Sequence, residues 1–348
     1  MQEKKTKQKK GSDKLVLAIL IVILISVSCV FYLRRSRINI ENTAVRHYMK
    51  SAVIDNGGLV RKDVPEGYPV FLIRSATIQV SNDPHFRSSR VITGKAGLNY
   101  IENLVPGRTY YYRAVYGSKP SVTHKFKTSG QIRMLSVEGI HNVRDIGGWK
   151  TANDQKIRYG YIFRGSEMDG IHSVNISANG ILQLQSEGIR TEIDLRSSEE
   201  LENARYPLKD TADYNNYMIT SYTGITVERN LYRDALSNII TSVLEDKPVY
   251  VHCWGGADRT GTVIALIEGS LGVSKEDVIK DYELTSFSVT GIRKYGTGTE
   301  GTEFKKLIEY IENEYDGATF GDKCRNLLTD LGINKETLDD FSRKMLED

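Results

Sequence analysis

Cysteine is scarce in this chain: Cys29, Cys253 and Cys324 are the only three in 348 residues. That count supports no disulfide framework and excludes the small stapled domains that depend on one, while leaving either side of a membrane open. Internal repeats are lacking, and so are low-complexity tracts beyond a lysine-rich start. Net charge is also small, +3 over the whole chain. Residues 1–37 carry nine Lys/Arg against Glu3 and Asp13, so everything after them sums to −4. The basic excess belongs to the first 37 residues, and nucleic-acid binding has no support.

Long apolar runs are missing with one exception, LVLAILIVILISVSCVFYL at residues 15–33. Nineteen residues without a charge suffice for a hydrocarbon core of about 30 Å at about 1.5 Å per residue. Lys4, Lys5, Lys7, Lys9, Lys10 and Lys14 precede the run and Arg34, Arg35 and Arg37 follow it. The excess of cations before it predicts a cytoplasmic N-terminus and an outward-facing bulk. Cleavage after Ser26-Val27-Ser28 or lipidation of Cys29 are the alternatives, the latter with a poor match before the cysteine. An uncleaved anchor is preferred. An outward-facing reactive thiol would have to tolerate oxidation.

What the chain does carry is VHCWGGADRTG at residues 251–261. KPVYV before the motif is a short β-branched and aromatic run that predicts a buried strand, and RTGTVIALIEG from Arg259 predicts the first turns of a helix. A loop between a strand and a helix N-terminus can aim the backbone N–H groups of residues 254–259 at one anion, with the helix dipole behind them. Gly255, Gly256 and Ala257 keep the turn small enough for close approach. The same field favours a thiolate at Cys253. Arg259 offers a planar fork to two phosphate oxygens, and Thr260 places a hydroxyl beside the sulfur. The implied chemistry is phosphate-monoester hydrolysis through a phosphocysteine, which calls for no metal or cofactor.

VHCWGGADRTG resembles the signature of cysteine-dependent protein tyrosine phosphatases, in particular the bacterial branch related to dual-specificity and lipid phosphatases. NVRDIGG at 142–148, FRGSEM at 163–168, GIRTEIDLRSSEE at 188–200 and DYELT at 281–285 fit the same branch, so the likeness spans roughly residues 132–345. It implies an α/β phosphatase domain, a central sheet flanked by helices, over residues 131–348. Relatives commonly have lysine where this chain has Ala257, and that lysine is linked to inositol-lipid head groups, so its absence lowers the expectation of a lipid substrate.

Protonating the leaving oxygen needs a carboxylic acid, a contribution of about 10²–10⁴-fold. Asp194 ends the strand-like run RTEIDL and should face the crevice at the carboxyl end of the sheet. Asp258 lies inside the loop. The resemblance implies roles for both, yet Asp194 could equally pair Arg196 or brace the loop, and Asp258 could simply favour the helix dipole. Asp194 is ranked first. Asn142, Arg144 and Asp145 occupy a turn-rich stretch that lies near the active site in the resembling family, and Arg144 is counted among the substrate-binding candidates with Trp254, Gly255, Gly256, Ala257 and Thr260. Trp254 either lines the pocket floor or packs beneath it. Arg164 and Arg196 are expected in framework roles, and His252 in bonding the loop backbone rather than acting as a base.

Between about residues 68 and 127 the texture changes to period-two runs, SATIQVS, RVITG, TYYYRAVYG and SVTHKFKT, separated by turn signals. These predict a small all-β sandwich. LVPGRTYYYRA at 104–114 resembles a fibronectin type III domain, in which the residue matching Tyr110 forms the tyrosine corner and those matching Tyr112 and Ala114 alternate inward. The expected layout is a basic cytoplasmic tail at 1–14, a transmembrane helix at 15–33, the sandwich with its stalk at 38–129, and the phosphatase domain at 131–348. Residues 38–67 are read as stalk or first strand. SKEDVIKDYEL from Ser274, TEFKKLIEYIENEY with Phe304, Leu307, Ile308 and Ile311 on one face, and NKETLDDFSRKML predict helices covering the sheet. The glycine-rich residues 289–301 predict a mobile loop.

The expected function is therefore a membrane-anchored phosphatase of phosphotyrosine or mixed phosphoprotein substrates, with an unknown ligand open for the sandwich. A phosphoinositide phosphatase would use the same residues. A noncatalytic phosphopeptide-binding or adhesion protein would more often have lost the cysteine or the arginine, and a sulfur-transfer enzyme would have a loop of different length.

Overall fold

A computed structural model describes residues 36–54, 61–170, 174–202, 204–220 and 223–348. The apolar run at 15–33, with Cys29, lies outside the described residues. Among those described, no helix is long and apolar enough to cross a membrane. The chain divides into two compact units.

The described part of the first unit comprises residues 36–39, 68–99 and 107–129. Its strands are β1 (Arg37–Asn39), β2 (Tyr68–Leu72), β3 (Ala76–Ser81), β4 (Arg90–Gly94), β5 (Gly97–Ile101), β6 (Thr109–Tyr116), β7 (Lys119–Pro120) and β8 (His124–Ser129). One sheet runs β1-β8-β6-β3-β4 with β7 beside β6, and β2 pairs with β5. Only β1 and β8 run parallel in the main sheet. Period-two alternation is the cause: Phe126 and Thr128 on β8 are buried while Lys125 and Lys127 between them are exposed. Phe126 stacks on Tyr68 with ring centroids 3.8 Å apart and packs near Tyr110 at 5.6 Å. Burying these rings with Val70, Leu72, Ile78 and Val80 gives the sheet its apolar face.

The second unit comprises residues 40–67, 100–106 and 130–348. Its strands are β9 (Arg133–Met134), β10 (Arg144–Asp145), β11 (Lys156–Ile157), β12 (Ile162–Gly165), β13 (Thr191–Asp194), β14 (Asp213–Asn216), β15 (Val249–His252) and β16 (Leu346–Glu347). The central sheet has the order β14-β13-β15-β12-β10-β9. β14, β13, β15 and β12 are mutually parallel, and β10 is antiparallel to both β9 and β12. Every residue of β12, β13 and β15 is buried, as expected for parallel strands covered on both faces.

The helices are α1 (Thr43–Ser51), α2 (Ala178–Ser186), α3 (Arg229–Leu244), α4 (Asp258–Ser270), α5 (Lys275–Glu283), α6 (Gly298–Glu314), α7 (Phe320–Asp330) and α8 (Lys335–Met345). α4 is buried along almost its whole length and forms the centre of the core. The three C-terminal segments read as helices are α5, α6 and α8, and Phe304, Leu307, Ile308 and Ile311 of α6 are all buried. α7 between them was not foreseen, although Thr319 and Asp322 close a reciprocal capping box at its start.

One expectation is corrected. Among the described residues of the segment 38–67 read as stalk or first strand, only Ile38 and Asn39 lie in a strand, β1, whereas residues 40–67 belong to the α/β unit. Tyr48 of α1 is fully buried, donates a hydrogen bond to Glu283 Oε2 at 2.6 Å and lies 5.4 Å from the Phe287 ring. Glu41 accepts from the backbone N–H groups of Gln131 and Ile132. The apolar face Val45 and Tyr48, one turn apart, finds its partner in the later part of the chain, a long-range contact that local patterning cannot signal.

Candidate active site

Parallel pairing places Gly165, Asp194 and His252 side by side at the carboxyl edge of the sheet. The residues that follow each strand therefore converge on one crevice, the usual ligand edge of such sheets. Cys253 leaves β15 there and is buried, and α4 starts five residues later.

The loop between them is held from outside by its carbonyls. Trp254 O accepts from the N–H of Glu167 at 2.9 Å. Gly255 O accepts from Asn142 Nδ2 at 3.0 Å and from Thr290 Oγ1 at 3.2 Å. Gly256 O accepts from Asn142 Nδ2 and from Arg164 Nη2, and Ala257 O from the same Arg164 nitrogen at 3.1 Å. In a trans peptide the N–H points opposite the C=O. Four outward carbonyls thus turn the N–H groups of Gly255, Gly256, Ala257 and Asp258 into the turn, where the dipole of α4 reinforces them. Gly256 has φ +64°, and a Cβ there would lie 2.0 Å from Gly165 O, so no other residue fits.

Arg259 reaches Glu200 with both Nη atoms, at 2.6 and 2.7 Å, and lies within electrostatic reach of the Cys253 thiol. Glu200 is itself fixed by the N–H and hydroxyl of Ser197. Burial works against its charge, but Arg259 and Ser197 hold its carboxyl down to about 2. The Oγ1 of Thr260 is buried without a hydrogen-bond partner. Such a hydroxyl is costly unless something arrives to use it. Trp254 is half exposed, at 52%, so it does not pack beneath the loop.

The two acid candidates differ sharply. Asp194 is fully buried and accepts from the N–H, Nε and Nη2 of Arg196 and from the Tyr214 hydroxyl. Burial raises its carboxyl, yet His252 and Arg196 outweigh it and keep it below the usual range. Every lone pair is committed to bracing, which matches the bracing alternative and leaves no proton to transfer. Asp258, first residue of α4, is partly exposed beside the loop and is held by Arg293 through bonds of 2.7 and 2.9 Å.

Arg144 is corrected as a substrate-binding residue. Its guanidinium is fully buried, spanning Asn142 Oδ1 at 2.6 Å and both oxygens and the carbonyl of Asp281. Arg164 shares Asp281, and Arg196 joins Glu167, Asp169 and Asp194, so both arginines are framework. His252 Nδ1 lies 3.3 Å from Cys253 O and Nε2 lies 3.1 Å from Glu192. Burial alone would lower its pKa, but the Asp194 and Glu192 carboxylates lift it to about 9. Glu200, Glu192, Thr290 and Arg293 were not singled out from sequence. Glu200 stands in the quoted run RSSEE, but which of its acids would meet Arg259 depends on the turn that follows β13. The residues read as a mobile loop are tied here: Thr290 to Gly255, and Arg293 to Asp258 and to the Ser286 hydroxyl.

The profile of the family described as "Tyrosine phosphatase family" matches residues 135–347. A Cupriavidus necator protein whose name places it among the tyrosine-protein phosphatases is 25% identical, covering 53% of this chain and 77% of its own. The triple specificity protein phosphatase PtpB of Mycobacterium tuberculosis is 26% identical, covering 51% of this chain and 74% of its own. A crystal structure of Pseudomonas aeruginosa TpbA is 14% identical, with TM-score 0.33, over 53% of this chain and 97% of that one. With a thiol at the foot of an amide-lined loop and a family match over well more than half its length, this chain belongs to the tyrosine phosphatase family and is a protein-tyrosine phosphatase.

Proposed function

We propose that the protein is a membrane-anchored phosphatase that hydrolyses phosphate monoesters of proteins through a phosphocysteine on Cys253, with Asp258 as general acid. The observation that carries this reading is the loop whose four carbonyls are held from behind, leaving its amides turned inward above a buried cysteine. Sγ of Cys253 attacks phosphorus, the P–O bond to the leaving group breaks, and a proton from Asp258 goes to the departing oxygen. Water then attacks the phosphocysteine, returns a proton to Asp258, and releases inorganic phosphate with the thiolate restored. The amides and the Arg259 fork stabilise charge on the equatorial oxygens, a term worth about 3–4 kcal/mol per donor in comparable sites. Incoming phosphate would compete with Glu200 for Arg259.

Phosphotyrosine is the first substrate class, and the triple specificity in the name of the M. tuberculosis relative supports testing serine, threonine and lipid phosphates beside it. The apolar run at 15–33 is read as an uncleaved anchor with the catalytic unit outside. The β unit is read as a fibronectin type III-like spacer, supported by the burial of Tyr110 and Ala114 on β6, with Tyr112 between them half-buried. C253S and R259K should abolish hydrolysis of an aryl phosphate, and normal turnover by either would overturn the mechanism. Protease accessibility of the catalytic unit on intact cells tests the orientation.

A further inference from the structure

The small net charge of the chain conceals a strong division. The β unit, counted over residues 36–39, 68–99 and 107–129, has ten Lys/Arg and a single carboxylate, Asp83, a net +9. The α/β unit, with 29 Lys/Arg and 41 Asp/Glu, carries −12. Asp83, the one acid in that count, lies 2.9 Å from Arg87. Eight of the ten are exposed and none is buried.

Register shows where several of them stand. Arg37 lies opposite Lys127, which lies opposite Thr109. Lys125 lies opposite Tyr111, and Arg113 opposite Gln79, which lies opposite Val91. Directly paired residues share a face of a sheet, and positions two apart along one strand share it too. Arg37, Lys127, Lys125, Tyr111, Arg113 and Val91 therefore form one outward face. Its opposite face is the buried one that carries Phe126, Tyr110, Ile78 and Val80. Lys125 and Lys127 are exposed, Val91 is 61% exposed, and the Arg113 guanidinium lies 4.2 Å over the Phe86 ring. Cations interleaved with a tyrosine and an aliphatic residue suit a surface that is anionic outside and apolar just beneath.

We propose that this face of the β unit docks on an anionic phospholipid surface. Connectivity selects a membrane over other polyanions: three residues separate the end of the apolar run at Leu33 from Arg37, a link of four residue steps, and Arg37 stands on the face itself. Fully extended, that link reaches about 14 Å, comparable with the screening length of about 10 Å in dilute salt. This part rests on the anchor reading above. With the run in a bilayer, the edge strand β1 is held where a negative surface potential is still felt, and Lys125 and Lys127 follow it by register.

The test is lysine acetylation of the full chain, read by mass spectrometry, on vesicles of phosphatidylcholine alone and on vesicles containing roughly one third phosphatidylglycerol. Lys125 and Lys127 should react about fivefold or more slowly on the anionic vesicles than on the neutral ones, recovering in about 1 M salt. Lys306 of the catalytic unit, 56% exposed, serves as reference and should be unchanged. Equal rates at Lys125 and Lys127 on the two vesicle types would overturn the proposal, as would protection by duplex DNA but not by anionic vesicles. Failure of the chain to sediment with neutral vesicles would refute the anchor, while the comparison on anionic vesicles would still decide for or against the face.

Discussion

Asp194 and Asp258 are chemically the same group with opposite prospects, and the difference lies in who donates to them. Asp194 is surrounded by Arg196, Tyr214 and His252, so D194N should act mainly on stability: removing one partner of a buried ion pair costs about 3–5 kcal/mol. Denaturant midpoints measure that loss, and the surviving folded enzyme should keep its ratio of rates on poor and good leaving groups. D258N should do the reverse, slowing a poor leaving group by about 10²-fold with little effect on a good one or on the midpoint. Both facts were half legible. RTEIDL at a strand end correctly announces a carboxylate at the crevice, but whether it serves as brace or acid depends on Tyr214, a neighbour brought in by β14 pairing.

His252 offers a pH test at the same scale. Its folded pKa of about 9 lies above the ordinary histidine value, so the charged ring stabilises the fold. That stabilisation is complete below about pH 6.5 and is lost as pH rises towards 9, an order of about 3 kcal/mol. Urea midpoints should fall across this window, and H252Q should flatten the profile. A wild-type midpoint that stays level between these limits would contradict the ring's being held charged by Asp194 and Glu192.

At the scale of elements, strands and helices with strong local periodicity were legible: β3, β4, β6 and β8 from alternation, α5, α6 and α8 from their apolar faces. The strand–loop–helix around Cys253 was equally clear, because its composition serves geometry and chemistry together. α1 and α7 were not. α1 is amphipathic only in the sense that its partners, Phe287 and Glu283, stand more than two hundred residues away. A fragment beginning at residue 131 would therefore lack Glu41, Val45 and Tyr48. It should unfold at clearly lower denaturant than one beginning at residue 36, since each buried side chain of this size contributes about 1.5–3 kcal/mol. Equal midpoints would show that α1 is dispensable. For α7, T319A breaks the capping box and should cost about 1 kcal/mol by thermal or denaturant melting.

Over the whole molecule, summed charge misleads in both directions. A chain of +3 contains a +9 unit and a −12 unit, and because residues 40–67 sum to zero and residues 100–106 to −1, the division stands in the sequence itself and the contacts only fix its boundaries. An acidic catalytic unit should favour basic phosphopeptides. At low ionic strength kcat/KM for a phosphotyrosine flanked by Lys/Arg should exceed that for one flanked by Asp/Glu several-fold, and the two should converge in about 1 M salt. A preference independent of salt would place specificity in contacts such as Trp254 rather than in the field.

The nucleophile itself is most directly examined by acid quench during turnover of an aryl phosphate, followed by peptide mass spectrometry. One added phosphoryl group should appear on the peptide that contains Cys253 and vanish in C253S. Turnover at full rate with no phosphoryl group at Cys253, or with the group on another residue, would contradict attack by this thiol.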